Sequence, residues 1–217
     1  MKIIKQSWSF IDGWDLSGEK ILRLIEQAGR VCYKSEDKIN EESHLEFVAR
    51  AIGIGHHSII EHASIPVRII TDRGVSHEIV RHRIASYSQE STRYCDYSGD
   101  KFGNEVTMIL PVWFYGVNEN SAELLLSRYT IWKEAMEKAE KYYFVLREMK
   151  QSAQEARAVL PNSLKTEMIM TANVREWRHF FNLRCSPKAH PQMRELAISM
   201  LIRFKEVVPV IFDDIKY

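Results

Sequence analysis

The clearest periodic signal in the chain runs from Leu125 to Leu146. Leu125, Tyr129, Trp132, Met136, Ala139, Tyr143 and Leu146 are spaced 4, 3, 4, 3, 4, 3. That spacing places one apolar stripe, flanked by Lys and Glu, on a long helix starting at Ser121. A Tyr/Trp/Met stripe of this kind reads as core or subunit interface rather than as a cofactor box. Residues 63–70 switch to a period of two, with Ile65, Val67 and Ile69 on one face and Ser64, Pro66 and Arg68 on the other. This predicts a strand, and Pro66, which cannot donate to a ladder, predicts an edge position.

Local signals fill in the remaining elements. Helices are expected over 17–33, capped by Ser17, and over 40–54, capped by Asn40 with Glu41 and Glu42 in the first turn. A short helix is expected near 74–82, a strand near 166–172 after Pro161, and helices over 174–184 and 190–206. The polar, glycine-bearing stretch 95–104 is expected to be the most flexible segment. All nine glycines lie at or before Gly116, so the last 101 residues should be mostly helix. No βαβα alternation of a nucleotide-binding parallel sheet is present. The expected class is therefore α+β, a mixed or antiparallel sheet flanked by long helices, in a single domain spanning 1–217.

Composition narrows the function classes. A length of 217 residues, 45% hydrophobic and 27% charged, fits a globular domain with a substantial core. Thirty Lys+Arg against twenty-nine Asp+Glu leave a net charge of +1, so no whole-surface grip on nucleic acid or an acidic membrane is expected. Any anion site must be local. Cys32, Cys95 and Cys185 are scattered, without a CxxC, which predicts reduced thiols in the cytoplasm rather than a disulfide framework or zinc ribbon. No apolar run approaches membrane-spanning length, and Met1 to Phe10 lacks the continuous apolar segment of a signal peptide.

Three clusters carry candidate chemistry. Arg81-His82-Arg83-Ile84-Ala85-Ser86-Tyr87-Ser88-Gln89-Glu90-Ser91-Thr92-Arg93-Tyr94 holds three arginines, four Ser/Thr hydroxyls and one acid in fourteen residues. Guanidinium forks and hydroxyls are the donors that take phosphate, although a solvated basic turn has the same composition. Gly53-Ile54-Gly55-His56-His57-Ser58-Ile59-Ile60-Glu61-His62 is not a GxGxxG loop, because Ser58 replaces the third glycine and a helix rather than a strand precedes it. His57 and His62 are five apart, roughly 140° round a helix, which is wrong for paired zinc ligands. Gly-Ile-Gly reads instead as a helix C-cap and a loop that exposes backbone N–H groups. Six of the eight histidines do lie between His44 and His82, so a metal site assembled in three dimensions stays open. In the third cluster Arg175, His179 and Asn182 share one helical face, with Trp177, Phe180 and Phe181 free to face the core, and Arg157 lies near an upstream helix end. No catalytic triad or nucleophile elbow is present, and Cys185 beside Arg184 is the one faintly activated thiol.

Arg-His-Arg-x-x-Ser-x-x-x-x-Ser-x-Arg-Tyr at 81–94 resembles the signature of the flavin-dependent thymidylate synthases. His56 and Glu61-His62 stand at family spacing upstream, and Ala156-Arg157-x-x-Leu160-Pro161, Asn173-x-Arg175 and Asn182-Leu183-Arg184 follow in family order. The resemblance covers roughly 45–95 and 155–205. It implies a homotetramer with active sites where subunits meet, and methylation of dUMP to dTMP with 5,10-methylenetetrahydrofolate as carbon donor and NADPH-reduced FAD as hydride source. By position, Glu78, Arg81, Gln89, Ser91, Arg93, Arg157 and Arg184 would hold dUMP, with Arg184 catalytic against the pyrimidine. Ser58, Arg81, His82, Arg83, Gln89, Asn173, Arg175 and His179 would hold FAD. No metal is implied, and neither nucleic acid nor membrane is an implied partner. Ser88 departs from the family, which commonly has Asn there, and His179 stands where some relatives have Asn. Two other readings stand beside this one: a metal-dependent nucleotide hydrolase built on the histidines, and a non-catalytic nucleotide- or RNA-binding module built on Arg81 to Arg93.

Overall fold

The computed structural model describes residues 1–12 and 17–217 as two compact units interleaved along the sequence. One unit takes Met1–Ser7, Ile69–Arg81 and Ser88–Met168; the other takes Trp8–Arg68, His82–Tyr87 and Ile169–Tyr217. The chain is a mixed α/β structure with an antiparallel sheet and flanking helices, the class its patterning implied.

The second unit opens with α1 (Gly18–Val31), capped by the Ser17 hydroxyl, which accepts the Lys20 N–H at 3.3 Å. Its Ile21, Leu22 and Ile25 turn inward. Helix α2 (Ser43–Gly53) begins three residues after Asn40. Asn40 Oδ1 accepts the N–H groups of Glu42 and Ser43, both at 3.0 Å, so it folds the approach to the helix and leaves Glu41 and Glu42 outside the first turn. Gly55, at φ +80°, closes α2 as expected. Its N–H donates to Ile52 O at 3.0 Å and the His56 N–H donates to Ala51 O at 2.8 Å. These groups are consumed by the cap, so the expected exposed N–H loop is not formed. A 3-10 turn, His57–His62, follows.

Strands β2 (Ser7–Phe10), β3 (Ser64–Asp72), β6 (Lys165–Asn173) and β4 (Ala85–Gln89) form one sheet in that order. The Val174 N–H donates to Ala63 O at 2.9 Å and the Arg73 N–H to Leu164 O at 3.1 Å, so the start of β3 faces the end of β6 and the two are antiparallel. Ile65, Val67 and Ile69 are buried, as the alternation required. The edge position inferred from Pro66 is incorrect, because β3 has a neighbour on each side. Beside Pro66 the Ile65 carbonyl accepts the indole N–H of Trp177 at 2.9 Å, so a side chain meets the strand where proline interrupts its donors.

Helices α6 (Val174–Arg184), α7 (Pro191–Val207) and α8 (Pro209–Phe212) complete this unit. Trp177 stacks on Phe181 at 5.7 Å, Phe204 meets the Phe181 edge at 4.9 Å, and Phe212 meets Phe204 at 5.3 Å. Each such pair adds about 0.5–1.5 kcal/mol beyond area burial, and together they fix α6 in place.

In the first unit β1 (Lys2–Ile4) runs parallel to β5 (Thr107–Ile109), Lys2 opposite Thr107. Helix α3 (Arg73–Ile79) is capped by Asp72, whose carboxylate accepts the Val75 N–H at 2.7 Å. Helix α4 (Glu123–Glu148) turns its 4-3 stripe inward. Met136 and Tyr143 are buried with Tyr97, Val106, Met108 and Leu164, and Trp132 and Leu146 pack on that cluster. On its other face Leu124, Ile131, Tyr142 and Met149 are exposed. Within the 95–104 segment Tyr97 is buried, and Asp96 accepts Arg147 Nε–H at 3.0 Å and both the N–H and hydroxyl of Ser98. Short α5 (Ala153–Ala156) starts from a Ser152/Glu155 capping box. Among the described residues no helix is long and apolar enough to cross a membrane.

Candidate active site

The sequence-predicted residues fall into two groups, one in each unit. Glu78, Arg81, Gln89, Ser91, Arg93 and Arg157 lie in the first; Ser58, His82, Arg83, Asn173, Arg175, His179 and Arg184 lie in the second.

In the first unit the chain leaves β4 and turns at Ser91, whose carbonyl accepts the N–H of Tyr94 at 3.1 Å and of Cys95 at 2.9 Å. Thr92 is buried and its hydroxyl accepts Arg157 Nη1–H at 2.8 Å. Arg81 and Arg93 are exposed. The lone acid of the signature segment does not oppose them. Glu90 accepts Lys165 Nζ at 2.7 Å and the Tyr97 hydroxyl at 3.1 Å, so its charge is paired inside. Burial, reinforced by Glu90, pushes the Tyr97 phenol far above its ordinary value, so it remains a donor. What remains on the segment's surface is cationic. Gln89 donates its amide N–H groups to Ser76 at 3.0 Å and Thr166 at 3.1 Å, which leaves its oxygen as the end able to meet a ligand.

In the second unit α6 carries the polar face read from its sequence. Asn173 caps it, Oδ1 accepting the Glu176 N–H at 2.8 Å. Arg175 and His179 project outward one turn apart, and Arg175 donates to Glu61 Oε1 at 2.5 Å. Glu61, Ile84, Asn173, Arg175, Glu176 and His179 line a recess of about 420 Å³. A larger cleft of about 740 Å³ holds Ser58, Tyr33, His56 and Arg175 over Phe47, Ala51, Ile54 and Ile59, with Arg30, Lys38 and Arg50 around it. The Tyr33 hydroxyl and His56 Nδ1 lie 3.2 Å apart. Arg30, Arg50 and Arg175 are paired with Glu26, Glu46 and Glu61. Lys38 and the outer faces of these arginines are therefore what a diphosphate would meet, beside apolar walls for flat rings, and on that basis the residues present fit FAD.

Sequence reasoning missed Glu176. It is buried and its Oε1 lies 2.9 Å from His82 Nδ1, while Arg184 donates its Nε–H to His82 Nε2 at 3.1 Å. The signal was available: Glu176, Phe180 and Arg184 recur every four residues along the side of α6 that carries its core aromatics, and an acid there requires a partner. His82, Glu176 and His179 bring ligand atoms within 4.8 Å of one another, an arrangement a metal ion could enter. The Arg184 guanidinium on His82 Nε2 opposes a cation at that point. Cys185 is buried, and burial pushes its thiol up to about 12, so the faint activation inferred from Arg184 is overturned.

Residues 17–210 match the family model described as thymidylate synthase complementing protein. The chain is 37% identical over 194 residues to a flavin-dependent thymidylate synthase of Geobacter sulfurreducens, covering 86% of this chain and 78% of that one. It is 35% identical over 215 residues to the enzyme of the same name from Mycobacterium avium, covering 93% and 82%. The chain belongs to the flavin-dependent thymidylate synthase family. A crystal structure of a UMP/dUMP methylase, PolB from Streptomyces cacaoi, bound with 5-Br dUMP, shares the fold at a TM-score of 0.76 and 21% identity over 98% of this chain and 96% of that one.

Proposed function

We propose that this chain methylates dUMP to dTMP, taking the carbon from 5,10-methylenetetrahydrofolate and the hydride from FAD reduced by NADPH, without a cysteine nucleophile. The observation that carries this reading is the inward pairing of Glu90, the one acid of the signature segment, with Lys165 and Tyr97. Exposed Arg81 and Arg93 thus meet no carboxylate from that segment and can take a nucleotide phosphate.

Ser91, Arg93 and Arg157 hold the phosphate end of dUMP, with Glu78, Arg81 and the Gln89 oxygen on the nucleoside. Arg184 faces the pyrimidine, where a fixed cation stabilises charge on the N3/O2 edge as the N3 proton leaves and electron density moves toward C5. This enolate-like ring needs no adduct at C6, in keeping with a Cys185 thiol held protonated by burial. Ser58, Arg81, His82, Arg83, Gln89, Asn173, Arg175 and His179 are the FAD-holding set. When bound, FAD supplies the hydride chemistry that no side chain performs. The 217 residues act as one functional domain in a cytoplasmic homotetramer, with neither nucleic acid nor membrane as partner. Leu124, Ile131 at 68% exposure and Tyr94 at 80% are apolar area that subunit contacts would cover.

An absorbance scan of the purified protein, followed by an assay for dTMP with dUMP, methylenetetrahydrofolate and NADPH, tests the reading. Flavin bands near roughly 370 and 450 nm and dTMP formation are expected. Colourless, chelator-sensitive hydrolysis of nucleotides would indicate the metal hydrolase. Salt-sensitive polynucleotide binding without flavin would indicate a binding module.

A further inference from the structure

We infer that Glu176 and His82 form a two-step positioning relay that fixes the orientation of Arg184. The inference rests on the reading of Arg184 as the group facing the pyrimidine. It assigns Glu176 a role and moves His82 from ligand contact to positioning.

The hydrogen-bond directions determine the proton positions. Arg184 Nε can only donate, so His82 Nε2, 3.1 Å away, must carry a lone pair. The neutral ring then has its proton on Nδ1, which donates to Glu176 Oε1 at 2.9 Å. Burial and the Arg184 charge hold His82 below its ordinary value despite the opposing pull of Glu176, in keeping with the neutral tautomer. Both ring nitrogens are engaged within the chain and the residue is only 3% exposed.

The flanking structure is stiff at each end. Glu176 sits in the first turn of α6, which is held by the Trp177 indole on Ile65 O at 2.9 Å. The His82 carbonyl accepts the Tyr87 hydroxyl at 2.6 Å, and its ring rests 4.9 Å from that of Phe180. The relay thus joins residues 94 and 102 positions apart into one unit. His82 occupies the Nε side of Arg184, so the relay sets the plane in which the two terminal nitrogens lie. These form the fork whose two donors match two adjacent acceptors on a uracil edge.

The test combines tautomer and kinetics. Long-range ¹⁵N–¹H spectra of His-labelled protein should show His82 protonated on Nδ1 alone in the wild type, whatever the activity. His82→Phe should lower kcat for dTMP formation about 10- to 50-fold, with KM for dUMP and flavin content unchanged. His82→Gln, which keeps an acceptor for Arg184 and a donor for Glu176 at similar spacing, should recover most of that loss. In the Arg184→Ala background His82→Phe should have no further effect, since a residue acting through Arg184 has nothing left to act on. A proton on Nε2, loss of flavin in proportion to kcat, no recovery in His82→Gln, or additive losses in the double variant would each overturn the relay. Failure of the functional reading is distinguishable: Arg184→Ala would then leave dTMP formation intact while the tautomer spectrum still reports the relay.

Discussion

Arg157 Nη1 donates to the Thr92 hydroxyl at 2.8 Å, which ties the arginine after α5 to the loop that carries Ser91 and Arg93. Thr92 is buried, so this bond orients the guanidinium from below. Thr92→Val keeps the shape and removes the acceptor. KM for dUMP should rise about 3- to 10-fold, because Arg157 loses the bond that orients it but keeps its charge, with kcat and flavin content unchanged. An unchanged KM in steady-state kinetics would separate Arg157 from the nucleotide.

Arg184→Ala should lower dTMP formation about 100-fold or more, to a residual rate still measurable in single turnovers, while folding and flavin binding persist. Losing the cation at the pyrimidine should cost about 3 kcal/mol of barrier or more, comparable to losing an oxyanion donor. Arg184→Lys should recover little, because a point charge reproduces neither the fork nor the Nε–H given to His82. Single-turnover kinetics with bound flavin measured by absorbance provide the check.

Replacing Cys32, Cys95 and Cys185 together by Ser should leave dUMP methylation in place. The expected change is a stability loss of about 1–3 kcal/mol, chiefly at buried Cys185, where a hydroxyl has no assured partner. Trapping a covalent adduct between any of the three and the pyrimidine C6 would rule out the proposed route.

Mixing two inactive variants, Ser91→Ala/Arg93→Ala and Arg175→Ala/Arg184→Ala, should restore activity under conditions that permit subunit exchange. Restoration requires pockets that draw the 91–93 and 175–184 residues from different chains. A fully active monomer by light scattering at assay concentration would contradict shared sites outright.

The Arg147 guanidinium holds the Asp96 carboxyl well below the usual carboxylate range, with Ser98 assisting. A depressed carboxylate adds stability above its unfolded value, near pH 4, and that stability is lost as pH falls through the folded value. Asp96→Asn should therefore destabilise the protein near neutrality, and the gap to wild type should close as pH approaches 2. With Asp96 35% exposed, solvent screening limits the effect to about 1 kcal/mol. Urea unfolding across pH 2–7 measures it.

Elements with strong periodicity were legible from sequence. The helix expected over 174–184 is Val174–Arg184, and the stripe from Leu125 to Leu146 faces the core. Elements whose residues lack contrast were not. β4 is Ala85–Gln89, with Ser86 and Ser88 exposed and no strongly apolar face, so its residues announced chemistry and not a strand. β1 and β5 have three residues each, too few for a period to register. Pro66 signals an edge, yet β3 is paired on both sides, and the Trp177 indole that donates to the Ile65 carbonyl beside it comes from α6, a contact that no local pattern contains. The candidate site divides in the same way. Its arginines stand in recognisable order, whereas Glu176 became visible only when folding brought it to His82 across 94 positions.

The parallel pairing of Lys2 with Thr107 sets a schedule for the chain as it is made. At about 5–20 residues per second, β1 is made roughly 5–20 s before its partner strand has been synthesised. For that interval β1 lacks the strand it pairs with in the finished fold, and its edge groups are open to other contacts. Faster elongation through the middle of the message should shorten this window and raise the soluble yield, while a pause placed before residue 107 should favour aggregation.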